Sequence, residues 1–435
     1  MMAAGERHGV AGVDRARLLD CLERLARIGA DPAGGVTRLG LSAEEGRARA
    51  FLREICREAG LVTWTDAAAN LFVTRPDRAA GHPVLLIGSH VDTVVQGGRL
   101  DGAYGVVAAI EVLRACTASE LRLPYEPVVV AFSNEEGALV QYPFWGSRAM
   151  CGLLEGGTRA RDRTGRSVRA YLAEGDGDPD RLAEAVWEPG SIAAFLELHI
   201  EQGPVLERRG VPIGVVAGIV GRTILEIEVL GQAQHAGTTP MQERRDALVA
   251  AAEVVLGVRR IAAGLDVCST ATVGYLEAAP NSTNTVPGTA RLTAEVRDTD
   301  PLRLARGEAA VRAVCERAGR ATGCRVVPRV AMRSRPVETD TAIQQVIAEA
   351  ADELGLAHLA MPSGAGHDAQ IVQAVAPVGM IFVPSTAGVS HAPAEDTPAE
   401  ALAQGADVLL RTVLRLNHPP DRLSRVSGTE PALRR

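Results

Sequence analysis

Apolar runs of strand length break off, one after another, at a histidine or a carboxylate. Val84-Leu85-Leu86-Ile87 leads into Gly88-Ser89-His90, and Pro127-Val128-Val129-Val130-Ala131-Phe132 leads into Asn134-Glu135-Glu136. Glu197-Leu198-His199 closes a third such run, and Ser390-His391 follows Val378-Gly379-Met380-Ile381-Phe382-Val383. Continuous apolar runs suit strands buried on both faces, and here they alternate with helical spacing, as at 14–30 and 43–59. That restricts the chain to an α/β fold with a mixed, largely parallel sheet. Open sheets of this kind bind ligands beyond the strand C-termini, where these side chains fall.

At 435 residues the chain exceeds one ordinary core, so two domains are expected. The pattern changes near residue 212. Strands at 222–230, 269–276 and 288–297, with helices at 246–262 and 302–321, describe an α+β insert: antiparallel strands with both helices on one face. Apolar strand and helix runs then resume over 335–416. The expected organisation is a catalytic domain of residues 1–212 and 329–418, interrupted by an insert at 213–328. The tail, 419–435, has too little apolar surface to offset the entropy of ordering and is expected to be disordered.

All 46 basic residues are arginine, because the chain has no lysine. Schiff-base catalysis and P-loop phosphate binding both need a lysine and are excluded. A net charge of -7 argues against a nucleic-acid footprint, so the expected partner is a small molecule. No apolar run approaches the ~18 residues of a membrane span, and the first residues lack a signal-peptide core. Seven cysteines, odd in number and without a Cys-x-x-Cys pair, indicate reduced thiols and a cytoplasmic location.

Three imidazoles and several carboxylates at strand ends are what a cage for a pair of divalent cations needs. Each has a bland alternative. Side chains alternate along extended backbone, so His90 and Asp92 share a side. His90 then ligates a metal while Asp92 takes the proton of its other ring nitrogen, or the two simply satisfy each other. Asp101, opening a helical stretch, is a ligand or a helix N-cap. Glu135 and Glu136 repel each other unless a cation or proton is present, so one can ligate while the other accepts a proton from water. The competing reading is a solvated loop. The His199/Glu201 alternation and His391 add further sites, and for all to be bland independently is improbable.

Several segments carry a family resemblance: Gly88-Ser89-His90-Val91-Asp92-Thr93, Leu100-Asp101-Gly102-Ala103-Tyr104-Gly105, Asn134-Glu135-Glu136-Gly137 and Glu197-Leu198-His199-Ile200-Glu201-Gln202-Gly203. Gln234-His235-Ala236-Gly237-Thr238-Thr239-Pro240-Met241, Pro280-Asn281-Ser282-Thr283-Asn284 and Ser363-Gly364-Ala365-Gly366-His367-Asp368 complete the set. In this order they resemble the hydantoinase/carbamoylase amidases, the branch of the M20 metallopeptidase superfamily that holds N-carbamoyl-L-amino acid hydrolases, β-ureidopropionases and allantoate amidohydrolases. The likeness runs from about Gly34 to Pro398.

The resemblance implies two divalent cations, zinc first, with manganese, cobalt or nickel as alternatives. One is held by His90 and His199, the other by Glu136 and His391, with Asp101 bridging. It makes Glu135 the general base and Asp92 the group that orients His90. The insert becomes a lid or dimerisation domain presenting His235, Asn284 and Arg297 to substrate, with His235 reaching the partner's site in a homodimer. Gln202, Gly366 and His367 line the same pocket. Without the resemblance, His235 reads as a turn histidine and Arg297 as a strand-end ion-pair partner.

The implied reaction is hydrolysis of a linear amide C–N bond in a carboxylate-bearing N-carbamoyl (ureido) amino acid or allantoate-like substrate. Activated water is the nucleophile, Glu135 moves its proton, His235 helps stabilise the oxyanion, and Arg297 clamps the carboxylate. The alternatives are an N-acyl-amino acid hydrolase, a dipeptidase or aminopeptidase, and an inactive binding protein. Val94–Gly98 and Pro143–Ser147 are closer to allantoate amidohydrolases. Ala138-Leu139-Val140, however, stands where many family members have Ser-Arg-Phe. Losing that cation favours a more apolar ureido or acyl-amide substrate.

Overall fold

The computed structural model describes residues 12–78, 81, 83–119, 123–264 and 266–417. The expected tail at 419–435 lies outside them. Among the described residues two compact units emerge: 12–217, 339–361 and 367–417, and 218–338 with 362–366.

The first unit is built on a mixed sheet. Its strands are β1 (Val62–Thr65), β2 (Leu71–Thr74), β3 (Val84–His90), β4 (Glu126–Phe132), β5 (Ile192–Ile200) and β6 (Ile213–Ile219). In the second unit follow β7 (Gly221–Leu230), β8 (Gln234–His235), β9 (Thr270–Ala279), β10 (Thr285–Val286), β11 (Thr289–Asp298), β12 (Arg325–Ser334) and β13 (Val337–Glu338). The chain then returns through β14 (His358–Ser363) and β15 (Val378–Val383). The large sheet runs β1-β2-β4-β3-β5-β15-β6. Its central strands β4, β3, β5 and β15 are parallel, while β1, β2 and β6 join antiparallel.

Register brings the polar strand ends to one edge. His90 pairs with Phe132, so Ser133-Asn134-Glu135 emerges beside it, and His199 pairs with Phe382 across the β5–β15 ladder. Behind this edge the helix Ala103–Ala118 is buried along most of its length, because it is apolar nearly all round. It packs on β3, β4 and β5 and on the helices Arg15–Ala26 and Ala399–Leu416. Asp14, Ser42 and Asp340 cap their helices by accepting first-turn N–H groups.

The second unit is a four-stranded antiparallel sheet, β12-β7-β11-β9, carrying the helices Ala247–Ala262 and Pro301–Thr322 on one face. Alternation does the sorting: Ala290, Leu292, Ala294 and Val296 of β11 enter the helix-covered core, while Arg291, Thr293, Glu295 and Arg297 point the other way. The unit reaches beyond residue 328 because β12 stays paired with β7, across a register shift between Val330 and Met332, as far as Ser334↔Arg222. It starts later than 213 because β6 pairs with β15 of the first unit.

Candidate metal centre

Asp101 sits at the middle of the strand-end cluster and is 3 % exposed. Its Oδ1 lies 3.5 Å from His90 Nε2 and 3.2 Å from His199 Nε2, and its Oδ2 lies 3.4 Å from His391 Nε2. His391 Nε2 is in turn 3.2 Å from Glu136 Oε1. Two ligand groups result, His90/Asp101/His199 and Asp101/Glu136/His391, and within each the donor atoms lie no more than 4.8 Å apart. Asp101 is common to both. It is no helix cap: Gly102 holds the cap position, at φ 63° and without a side-chain bond.

The imidazoles are preset for ligation. His90 Nδ1 lies 3.0 Å from the Asp92 main-chain carbonyl and His199 Nδ1 lies 2.9 Å from that of Ile200. A carbonyl only accepts, so each Nδ1 carries a proton and Nε2 is the ring nitrogen turned toward Asp101, the one that would ligate once any proton on it is displaced. The Gly102 N–H donates to His199 Nε2 at 3.0 Å. The chemistry of the donor set, neutral imidazole nitrogens and carboxylates sharing one bridging residue, fits a pair of divalent cations.

The Asp92 carboxylate faces more than His90. Its Oδ1 is 3.5 Å from His90 Nδ1, farther than its own carbonyl, and its carboxylate accepts the N–H groups of Glu135 at 3.0 Å and Glu136 at 3.1 Å. Glu135 thereby stands at the cluster with Oε2 3.7 Å from His90 Nε2. Asn134, Gln202 and His391 have φ of 49°, 57° and 56°, so the site stands on several left-handed turns that side chains other than glycine rarely adopt.

The groups around Asp101 favour their protonated forms, while Asp101 itself, despite its burial, is held well below the usual carboxylate range by the three imidazoles. Burial raises the Glu135 carboxyl well above its usual range, with His90 opposing and Glu136 reinforcing the shift. Burial alone would lower His90, but Glu135, Asp101 and Asp92 lift it well above its usual value. Hydrogen bonds to Asp101 and Glu136 push His391 up to about 11. Protons of this kind are what bound cations displace.

Gln202 donates through Nε2 to Asp101 Oδ2 at 2.6 Å, so it touches the carboxylate common to both groups directly. His367 is 1 % exposed, its ring 4.7 Å from that of His199, and burial followed by the His199 charge keeps it well below its usual value. Gly366 is the last residue of the second unit. In that unit, β8 and β10 form a separate ladder pairing His235 with Thr285, and the Ala236 N–H donates to Asn284 O at 2.9 Å. Both His235 and Asn284 are exposed. Arg297 donates to Glu295 Oε1 at 2.6 Å and to Gly364 O at 2.8 Å.

The motifs do not reveal Glu395, which is 3 % exposed and accepts the Leu100 and Asp101 N–H groups. Its loop, Ala392-Pro393-Ala394-Glu395-Asp396, has no periodic pattern. The one signal is Gly98, where a Cβ would come within 1.9 Å of the Glu395 carboxyl.

The model for peptidase family M20/M25/M40 matches residues 86–415. An N-carbamoyl-L-amino acid amidohydrolase of Geobacillus stearothermophilus is 37% identical over 401 residues, 92% of this chain and 98% of that protein. A ureidoglycolate hydrolase of Arabidopsis thaliana is 32% identical, over 93% of this chain and 87% of that protein. The crystal structure of a hydantoinase/carbamoylase family amidase from Burkholderia multivorans superposes with a TM-score of 0.84 at 36% identity, covering 93% of this chain and 98% of that one. The chain belongs to the M20/M25/M40 family, and within it to the hydantoinase/carbamoylase amidases. It is a metal-dependent hydrolase of carbon–nitrogen bonds. Among the described residues no helix is long and apolar enough to cross a membrane.

Proposed function

We propose that this amidohydrolase cleaves the linear C–N bond of an N-carbamoyl (ureido) amino acid or an allantoate-like compound, with two divalent cations per chain, zinc first. The observation that carries the cation count is Asp101, whose two oxygens face separate ligand groups. His90 and His199 hold one ion with Asp101, and Glu136 and His391 hold the other. Bound cations supply the Lewis acidity that makes water nucleophilic at neutral pH.

Glu135 takes the proton of the attacking water at its carboxylate and returns it to the departing nitrogen. Its buried position supports that role, because a raised carboxyl accepts a proton readily. Arg297 recognises the substrate carboxylate, a task suited to a planar guanidinium, with Glu295 holding it ready. His235 and Asn284, neighbours on the β8–β10 ladder, act on substrate from the insert, which serves as lid and dimer contact, with His235 crossing to the partner's site. Seven free, buried cysteines support a cytoplasmic location.

The test is ammonia release by metal-reconstituted protein over N-carbamoyl-L-amino acids, N-carbamoyl-β-alanine, allantoate, N-acyl amino acids and dipeptides. Chelator-sensitive release from a ureido compound is expected. Silence there, with cleavage of acyl amides or dipeptides, would move the enzyme to a different substrate class.

A further inference from the structure

Three consecutive N–H groups in the turn that carries Glu135 donate to two buried carboxylates. Asn134 donates to Glu45 Oε1 at 3.3 Å, and Glu135 and Glu136 donate to the two oxygens of Asp92. The carbonyls of the same stretch are also held. Ser133, Asn134 and Glu135 accept from Gly146, Trp145 and Phe144 at 2.9, 3.3 and 2.8 Å. These six backbone groups are all bonded although Asn134 sits at φ 49°.

Glu45 reaches this place from an unexpected direction. Ser42-x-x-Glu45 has the form of a capping box, in which the glutamate would reach back to the N–H of the cap residue. Ser42 does accept the Glu45 N–H at 3.3 Å, but the Glu45 carboxylate turns to the Leu41 N–H at 2.6 Å and to Asn134. Glu45 is 0 % exposed, and Arg49 Nη1 lies 2.5 Å from its Oε2 as a charge contact. On the far side Arg38, also 0 % exposed, donates from Nε to the carbonyl of Val91, between His90 and Asp92, at 2.6 Å. Space is equally constrained: a Cβ on Gly40 would lie 2.4 Å from Asn134 Cα.

We infer that Glu45 is a positioning residue for Glu135: with Asp92 it locks the left-handed Asn134 turn that aims the base. The inference rests on Glu135 acting as proposed above. The Glu45 carboxylate bonds the Leu41 and Asn134 N–H groups and faces Arg49, none of them a proposed ligand, so its effect passes through the backbone. Removing its carboxylate orphans the Asn134 N–H and takes away one of the bonds that hold this left-handed turn in place. A base displaced by about an ångström costs up to ~100-fold in rate.

The test combines amide hydrogen exchange across residues 133–137 with kinetics of Glu45→Ala and Glu45→Gln, each scaled to metal-loaded chain. Exchange in the turn should rise by at least about tenfold in Glu45→Ala, with kcat falling at least about tenfold and KM near the parent value. Glu45→Gln keeps one carbonyl acceptor in the same volume, so it should recover part of both and serves if the alanine variant does not fold. A lowered melting temperature with unchanged turn exchange, or with unchanged kcat per metal-loaded chain, overturns the inference. Exchange is read without substrate, so a wrong substrate assignment shows separately, as absent turnover in the parent protein.

Discussion

Glu395 Oε1 accepts the main-chain N–H of Asp101 at 3.0 Å, and Ser390 Oγ lies 2.8 Å from both Glu395 Oε2 and Asp101 Oδ2. The residue common to the two candidate groups is thus fixed by a carboxylate that belongs to neither. Groups behind the ligands set metal affinity, and losing one typically weakens it ~10- to 100-fold. Glu395→Ala should do so, as should Gly98→Ala, whose added methyl would occupy the Glu395 carboxyl. Competitive chelator titration measures it; parent-like affinity in both variants would show that Asp101 needs no such support.

Glu135→Gln keeps the size of the side chain and removes its proton acceptor. Metal content and substrate binding should persist while kcat falls by ~100- to 10,000-fold. Near-normal turnover would remove Glu135 from the role of base.

Arg297 is expected to act through binding. Replacing it with methionine should raise KM for carboxylate substrates and leave the uncharged amide analogues little changed. Glu295→Gln keeps a carbonyl acceptor but removes the charge that holds Arg297 ready, so carboxylate KM should rise in the same direction and by less. An unchanged KM in Arg297→Met would sink the assignment.

Metal affinity should fall as pH falls. The folded His391 is lifted to about 11 and His90 well above its usual value, so without metal these sites are protonated at neutral pH. Each cation must therefore expel protons, and lower pH favours the protonated, metal-free form. Calorimetry in buffers of different ionisation enthalpy should report proton release on binding, and none at pH 7 would contradict the protonated cluster.

Much of this was legible in the strand ends. Apolar runs stopping at His90, Glu135 and His199 place those side chains at one sheet edge, since parallel neighbours of similar length end together. The insert was legible by its alternation, which separates Leu292 from Arg291 and Thr293. What stayed hidden depends on contacts distant in sequence. Glu45 presents a capping signature and instead bonds Asn134; Arg38 precedes the whole cluster by half a hundred residues and still bonds Val91. Asp92 pairs in sequence with His90, yet its carboxylate serves the Glu135–Glu136 backbone, a partner no local pattern announces.

The central claim is an amide-cleaving site that two cations share through Asp101. Its most direct measurement is ammonia release from an N-carbamoyl-L-amino acid as metal-free protein is titrated with zinc or manganese. Activity should rise from nothing and level off at two equivalents per chain. Release that survives metal removal, or that is complete at one equivalent, would contradict it.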